Sequence, residues 1–289
     1  MRYYKGNLHT HTTNSDGRMA PDDVLELYKS KGYDFIALTD HFCYNPSAFT
    51  DNMLIISGVE YDTRGSGSDN VYHIVGLGMK KDPGLQPKKC EPDILIDTIH
   101  NEGGLAVLAH PAWSMNKPNE AQVKCKNADM IEIYNTVSGA PFSINPDSGY
   151  FCDICALDGF IKPITAVDDS HFYKGDQCVS YIMVRAGELS EKAILESIVR
   201  GDFYATQGPE LHYEVTGDTI TVNCSPVDMI VFKSNENYVG DRYVIGENVT
   251  SAVYKMKPGE KWIRIELTDN TGKRAWSNYI VNIDKTTSL

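Results

Sequence analysis

YYKGNLHTHTTNSDG, residues 3–17, contains the reading on which the rest of the chain depends. Tyr3 to Leu8 reads as an extended segment, and His9 and His11 follow it one residue apart. In extended backbone, residues i and i+2 share a face, so the two imidazoles point the same way. A polar, turn-forming stretch then ends in Ser15-Asp16-Gly17. A strand that delivers histidines at its polar end, and then turns, is a pattern to look for elsewhere.

It recurs. DFIALTDH (34–41) is a buried-strand pattern ending in Asp40 and His41, and MLIISGVE (53–60) is an apolar run ending in Glu60. LAVLAHP (105–111) ends in His110, and PITAVDDSH (163–171) ends in Asp169 and His171. VYHIVGL (71–77) carries His73 inside a strand, two positions before Val75, and ADMIEIYN (128–135) is a strand carrying Glu132 and ending in Asn135. Residues 179–185 read as one more strand. Helical patterns alternate with these runs. Residues 21–31 begin with Pro21 at a first helical position and stop before Gly32, and residues 92–102 and 190–200 read as helices. Strands alternating with helices predict an α/β fold with a mostly parallel sheet or barrel. In a parallel barrel the C-terminal ends of the strands meet at one rim. Six histidines and several carboxylates would then converge there. Packed together without partners they would be costly, and divalent cations are the natural partners for such N and O donors.

After TQGP (206–209) the texture changes. TITVNC, DMIVFKS, KWIRIELTD and YIVNI are short β-like runs, so residues 209–289 are expected to form a small all-β, sandwich-like domain behind a domain of residues 1–208. Lys and Arg total 27 against 39 Asp and Glu, a net charge of −12, which argues against a long nucleic acid or an anionic membrane as partner. The longest apolar runs, such as LAVLA (105–109), are far too short to cross a bilayer. With no apolar stretch of signal-peptide length near Met1, the expected location is the cytoplasm. Seven scattered cysteines do not suggest a disulfide framework, and Cys152 and Cys155 read as two reduced thiols on a helix. His100, inside a helix, and His212, in the second domain, read as structural.

The segments NLHTHTTNSDG, IALTDH, GVE, YHIVGLG, LAHP and DDSH, in this order over roughly residues 5–208, resemble the polymerase and histidinol phosphatase (PHP) superfamily of metal-dependent phosphoesterases. The resemblance implies a distorted (β/α)7, TIM-like barrel holding two or three divalent metal ions, Mn2+, Zn2+ or Fe2+. Position by position, it implies His9, His11, Glu60 and Asp169 at one ion, and Glu60, His73 and His110 at a second. Asp16, His41 and His171 would take a third. YATQGPE (204–210) and DNTGKRAWSNYI (269–280) resemble the β domain appended to some bacterial PHP-like hydrolases.

The activity so implied is hydrolysis of a small phosphorylated metabolite or nucleotide by a metal-bridging hydroxide, since bound cations lower the pKa of water towards neutrality. Glu60 would set the spacing of two ions, Asp169 would orient the hydroxide, and His41 or His171 would assist the leaving group. Arg18, Arg64 and Asn135 are candidates for contacts with substrate. Two other readings stay open: a metal-dependent carboxylic ester or amide hydrolase on the same barrel, and a non-catalytic metal-bound binding module. The number of subunits is not legible.

Overall fold

In a computed structural model, residues 1–50, 52–64, 71–237 and 240–282 are described, and the chain divides into two compact units, Met1–Phe203 and Tyr204–Leu289. The division falls ahead of the expected boundary at 208 because Tyr204 to Thr206 pair with Ala275 to Ser277 of the second unit.

The first unit begins with β1 (Arg2–Asn7), α1 (Pro21–Ser30) and β2 (Phe35–Ala37). Next come β3 (Ala48–Thr50), β4 (Met53–Ile56), β5 (Gly58–Asp62) and β6 (His73–Leu77). They are followed by α2 (Pro92–Asn101), β7 (Leu105–Leu108), α3 (Pro118–Lys124), β8 (Met130–Asn135) and α4 (Gly149–Leu157). The unit closes with β9 (Ile164–Val167), β10 (Tyr181–Ala186) and α5 (Glu191–Val199). It is a mixed α/β fold with five helices among the described residues.

The strand pairings do not give the single closed, mostly parallel ring expected from the sequence. They give two sheets. In one, β10, β1, β2, β4 and β3 lie side by side, with β1, β2 and β4 parallel. The other runs β5-β6-β7-β8-β9, and β6 is antiparallel to both its neighbours. Among the described residues, isolated parallel bridges, His41 to Glu60 and Thr10 to Ser170, stitch the sheets together, the first beside an antiparallel bridge of Asn45 to Gly58. Both parallel bridges involve candidate site residues or their neighbours, so the site lies along the two seams.

Local chemistry sets the elements. α1 starts at Pro21, with Asp22 and Asp23 in its first turn and Lys29 in its last, each sign favourable to the helix dipole. It stops where Gly32 takes a φ of +74°. Val24 and Tyr28 face inward and pack with Tyr33, Ile36, Leu38, Met53 and Ile55. Among the described residues, no helix is long and apolar enough to cross a membrane.

The second unit is built of β11 (Phe203–Thr206) from Tyr204 onward, β12 (Leu211–Thr216), β13 (Thr219–Ser234), β14 (Tyr243–Lys255), β15 (Trp262–Thr268), β16 (Arg274–Ser277) and β17 (Ile280–Val281). TITVNC and DMIVFKS, which read as two strands, are one long strand, β13. Its register shifts between Asn223 and Met229, around Pro226, which has no N–H to give to a ladder. β13 pairs first with β12 and later with β15, with β14 alongside. The pairings are antiparallel and form one branched sheet, where the sequence suggested the two sheets of a sandwich.

Candidate metal centre

β1 delivers His9 and His11 just beyond its last residue, and both side chains are buried. Their Nε2 atoms stand 3.2 Å apart. Glu60, at the middle of β5, is buried between them and three more histidines. Its Oε2 lies 3.2 Å from His9 Nε2, 3.1 Å from His11 Nε2 and 3.2 Å from His41 Nδ1. Its Oε1 lies 2.9 Å from His73 Nδ1 and 3.2 Å from His110 Nε2. The two oxygens of one carboxylate thus face two sets of imidazoles.

Asp169, two residues past β9, completes the inner group: its Oδ1 is 3.2 Å from His9 Nε2 and 3.1 Å from His11 Nε2. Asp169 and His110 both hold left-handed φ angles, 53° and 28°, which non-glycine residues rarely adopt. Such strain persists where surrounding contacts fix it, and it concentrates at functional sites. The third set is more open. Asp16, exposed, lies 3.6 Å from His11 Nδ1, 3.4 Å from His171 Nε2 and 4.0 Å from His41 Nε2.

Donor atoms gather into three groups of cation-binding size: His9, His11, Glu60 and Asp169; His11, Asp16, His41 and His171; and His41, Glu60 and His73. All nine residues singled out in the sequence meet in this one region. The grouping differs from the implied sets in one respect. His41 stands close to Glu60 and His73 as well as to Asp16, while His110 joins through Glu60.

The residues fit a divalent cation. Two imidazole nitrogens directed at one another across 3.2 Å, with carboxylate oxygens beside them, satisfy each other poorly without a positive centre between. Asp169 Oδ1 and His41 Nδ1 are buried without a well-formed hydrogen bond. The electrostatics agree. Burial alone would lower the pKa of His9 and His11, yet Asp169 and Glu60 hold His9 well above the ordinary range and His11 at about 9. His110 is raised for the same reason, against its burial, by Glu60, Asp169 and Glu132. Burial would raise Glu60 and Asp169, but the surrounding histidines hold both far below the usual carboxylate range. His41 is lowered, chiefly by burial. The acids thus favour positive charge at His9, His11 and His110, the charge a cation would bring.

Glu132 is the residue that the sequence reading undervalued. It is buried on β8, its Oε1 2.7 Å from His9 Nδ1. Its Oε2 accepts the His110 backbone N–H at 2.8 Å and the Asn135 amide at 3.0 Å. The signal was present: a lone acid in the apolar run MIEIYN must be buried and must find partners. Asn135, expected at substrate, is instead fully buried and engaged. Its amide also donates to Asp169 Oδ2 at 3.1 Å, and its Oδ1 accepts from Ser138 N–H and Oγ–H. Asp40 anchors the loop beneath the third set, accepting from Thr12 and Ser15.

The two arginines flank the cluster. Arg64 pairs with Asp62 at 3.2 Å and, with Asp16, His41 and His73, lines a cavity of about 530 Å3. Arg18 is exposed, gives its backbone N–H to His171, and holds its guanidinium 4.9 Å from the Phe172 ring centre. His100, bonded to Asp129 at 2.8 Å, lies outside the three donor groups, and so does His212, in the second unit.

No family model matches the chain. An uncharacterized protein of Methanocaldococcus jannaschii is 28% identical over 142 residues, covering 45% of this chain and 81% of that protein. An amidohydrolase from Chromobacterium violaceum covers 68% of this chain and 96% of its own, at 14% identity and a TM-score of 0.46. A two-domain protein from Bacteroides vulgatus, described as containing a predicted PHP-like metal-dependent phosphoesterase, covers 96% of this chain and 95% of its own, at 16% identity and a TM-score of 0.53. The chain therefore shares its fold with that two-domain protein over nearly its whole length.

Proposed function

We propose that the chain is a metal-dependent phosphoesterase that hydrolyses a small phosphorylated metabolite or nucleotide. One observation carries the reading: Glu60, buried, presents its two oxygens to two different sets of histidines within 3.2 Å. His9, His11, Glu60 and Asp169 would hold one cation, Glu60 with His73 and His110 a second, and Asp16, His41 and His171 a third. The donor set suits Mn2+, Zn2+ or Fe2+. Bound there, such ions supply Lewis acidity towards a phosphoryl oxygen and a water that ionises near neutral pH.

The chain's own residues do the rest. Glu132 and Asn135 hold His9, His110 and Asp169 in place through direct hydrogen bonds. Arg64 and Arg18, on either flank, would attract an anionic substrate. We read the two bridged sheets as the distorted barrel that the resemblance implies, with the cluster at its seams.

The test is hydrolysis by purified protein with Mn2+. Phosphate release from p-nitrophenyl phosphate or 3′-phosphoadenosine 5′-phosphate supports the reading. Cleavage of carboxyl esters alone would make the protein a carbonyl hydrolase. Bound metal with neither activity would make it a binding module.

A further inference from the structure

Beside the cluster lies a cavity of about 390 Å3, a size typical of small-molecule sites. Its inner wall includes Glu60, His73, His110, Asp169 and His171. Its outer wall is of a different kind: Trp113, Val137, Ser138, Phe142, Ser143 and Phe172. Phe142 and Phe172 lie parallel, centres 4.8 Å apart with 2° between their planes. Trp113 stands perpendicular to His73 and His110, with centres 5.8 and 5.0 Å away and planes at 85° and 83°.

Trp113 is 43% exposed, an unusual condition for so large an apolar ring beside a polar cluster. It is not loose. Its Nε1–H donates to Ser143 Oγ at 3.0 Å, which fixes the plane of the indole. The two serines offer complementary polar contacts. Ser143 Oγ, already accepting, keeps its own proton to give, and Ser138 Oγ, which gives its proton to Asn135, keeps lone pairs to accept. A fixed, half-exposed aromatic surface with one donor and one acceptor near it suits a flat ring carrying heteroatoms. A polyol or an amino alcohol would leave the aromatic faces unused.

We propose that this cavity is the substrate's ring site, so that the favoured substrates are phosphoesters bearing a flat aromatic or heteroaromatic ring, packed against Trp113 with the phosphoryl group at the cluster. The proposal rests on the phosphoesterase reading for its anion, and the experiment separates the two. Zn2+-loaded protein is titrated with phenylphosphonate, cyclohexylphosphonate, methylphosphonate, benzoate and acetate, followed by calorimetry and by tryptophan emission. Trp262 and Trp276 are buried, so a ligand-dependent emission change reports Trp113.

Phenylphosphonate should bind about tenfold tighter than methylphosphonate, in keeping with the worth of one aromatic stacking contact. Cyclohexylphosphonate, apolar but not flat, should gain clearly less over methylphosphonate than phenylphosphonate does. Trp113→Ala should bring phenylphosphonate to within about twofold of methylphosphonate, and Trp113→Phe should keep part of the gain. A gain of benzoate over acetate with no phosphonate binding would keep the ring site and remove the phosphoester. Equal binding of ring and ringless ligands in both pairs, or of phenyl and cyclohexyl, would overturn the ring site.

Discussion

Glu132 Oε1 lies 2.7 Å from His9 Nδ1, while Nε2 of the same ring faces Glu60 and Asp169 at 3.2 Å. One side of the imidazole is committed to a carboxylate, which leaves the other side directed at the cluster. Partners of this kind fix the tautomer and orientation of a metal-binding histidine. Glu132→Gln keeps the shape, but a carboxamide cannot accept on both its atoms, so either His9 or the pair of His110 and Asn135 loses its acceptor. Metal affinity, measured by competition with a chromogenic chelator, should fall about ten- to hundredfold. An unchanged affinity would make Glu132 a packing residue.

Glu60→Gln removes the charge shared by five histidines and should abolish turnover with Mn2+ while the circular dichroism spectrum stays that of the native fold. Wild-type turnover in this variant would refute the shared-carboxylate account.

Gly17 is needed for its missing side chain. A Cβ there would lie 2.4 Å from the His11 carbonyl oxygen, a backbone atom that cannot step aside. Gly17→Ala should cost about 1–3 kcal/mol as the loop is pushed out. Asp16 moves with it, so the variant should melt lower and retain fewer cations per chain by elemental analysis.

Three cysteines should be chemically silent. Cys125, Cys152 and Cys155 are buried, and burial pushes the thiols of Cys125 and Cys155 up to about 12. A raised thiol pKa favours the protonated form, so at pH 8 only about one in ten thousand such thiols is the reactive thiolate. Titration of native protein with Ellman's reagent at pH 8 should leave these three unmodified, and denaturant should release all seven. Prompt reaction of all seven in native protein would show that α4 and the end of α3 open readily.

Much of the centre was legible because strands ending in His9, His11, His41, Glu60, His110, Asp169 and His171 announce themselves by an apolar run and a sudden polar end. His73 reaches the cluster by another route. β6 runs antiparallel to β5, so its first residue, not its last, lies at the site, opposite Asp62. Periodicity gives a strand but not its direction, and a parallel ring was therefore expected where two sheets occur. The helices at 21–31, 92–102 and 190–200 were found to within a residue or so at each end, their prolines and acids marking the starts. α3 offered only Pro118 and seven residues, too short for a periodic signal. Asn135 showed its position on β8 but not its contacts, since its hydrogen bond to Asp169 reaches the segment beyond β9, and the one to Glu132, three residues back on the same strand, depends on where the side chains point.

The most direct measurement is an anomalous difference map from a crystal of the protein grown with Zn2+ or Mn2+, recorded at that metal's absorption edge. The account predicts a strong peak between His9 Nε2, His11 Nε2, Glu60 and Asp169, with another on the His73 and His110 side of Glu60. Side chains arranged as here, with no anomalous peak among them, would contradict it.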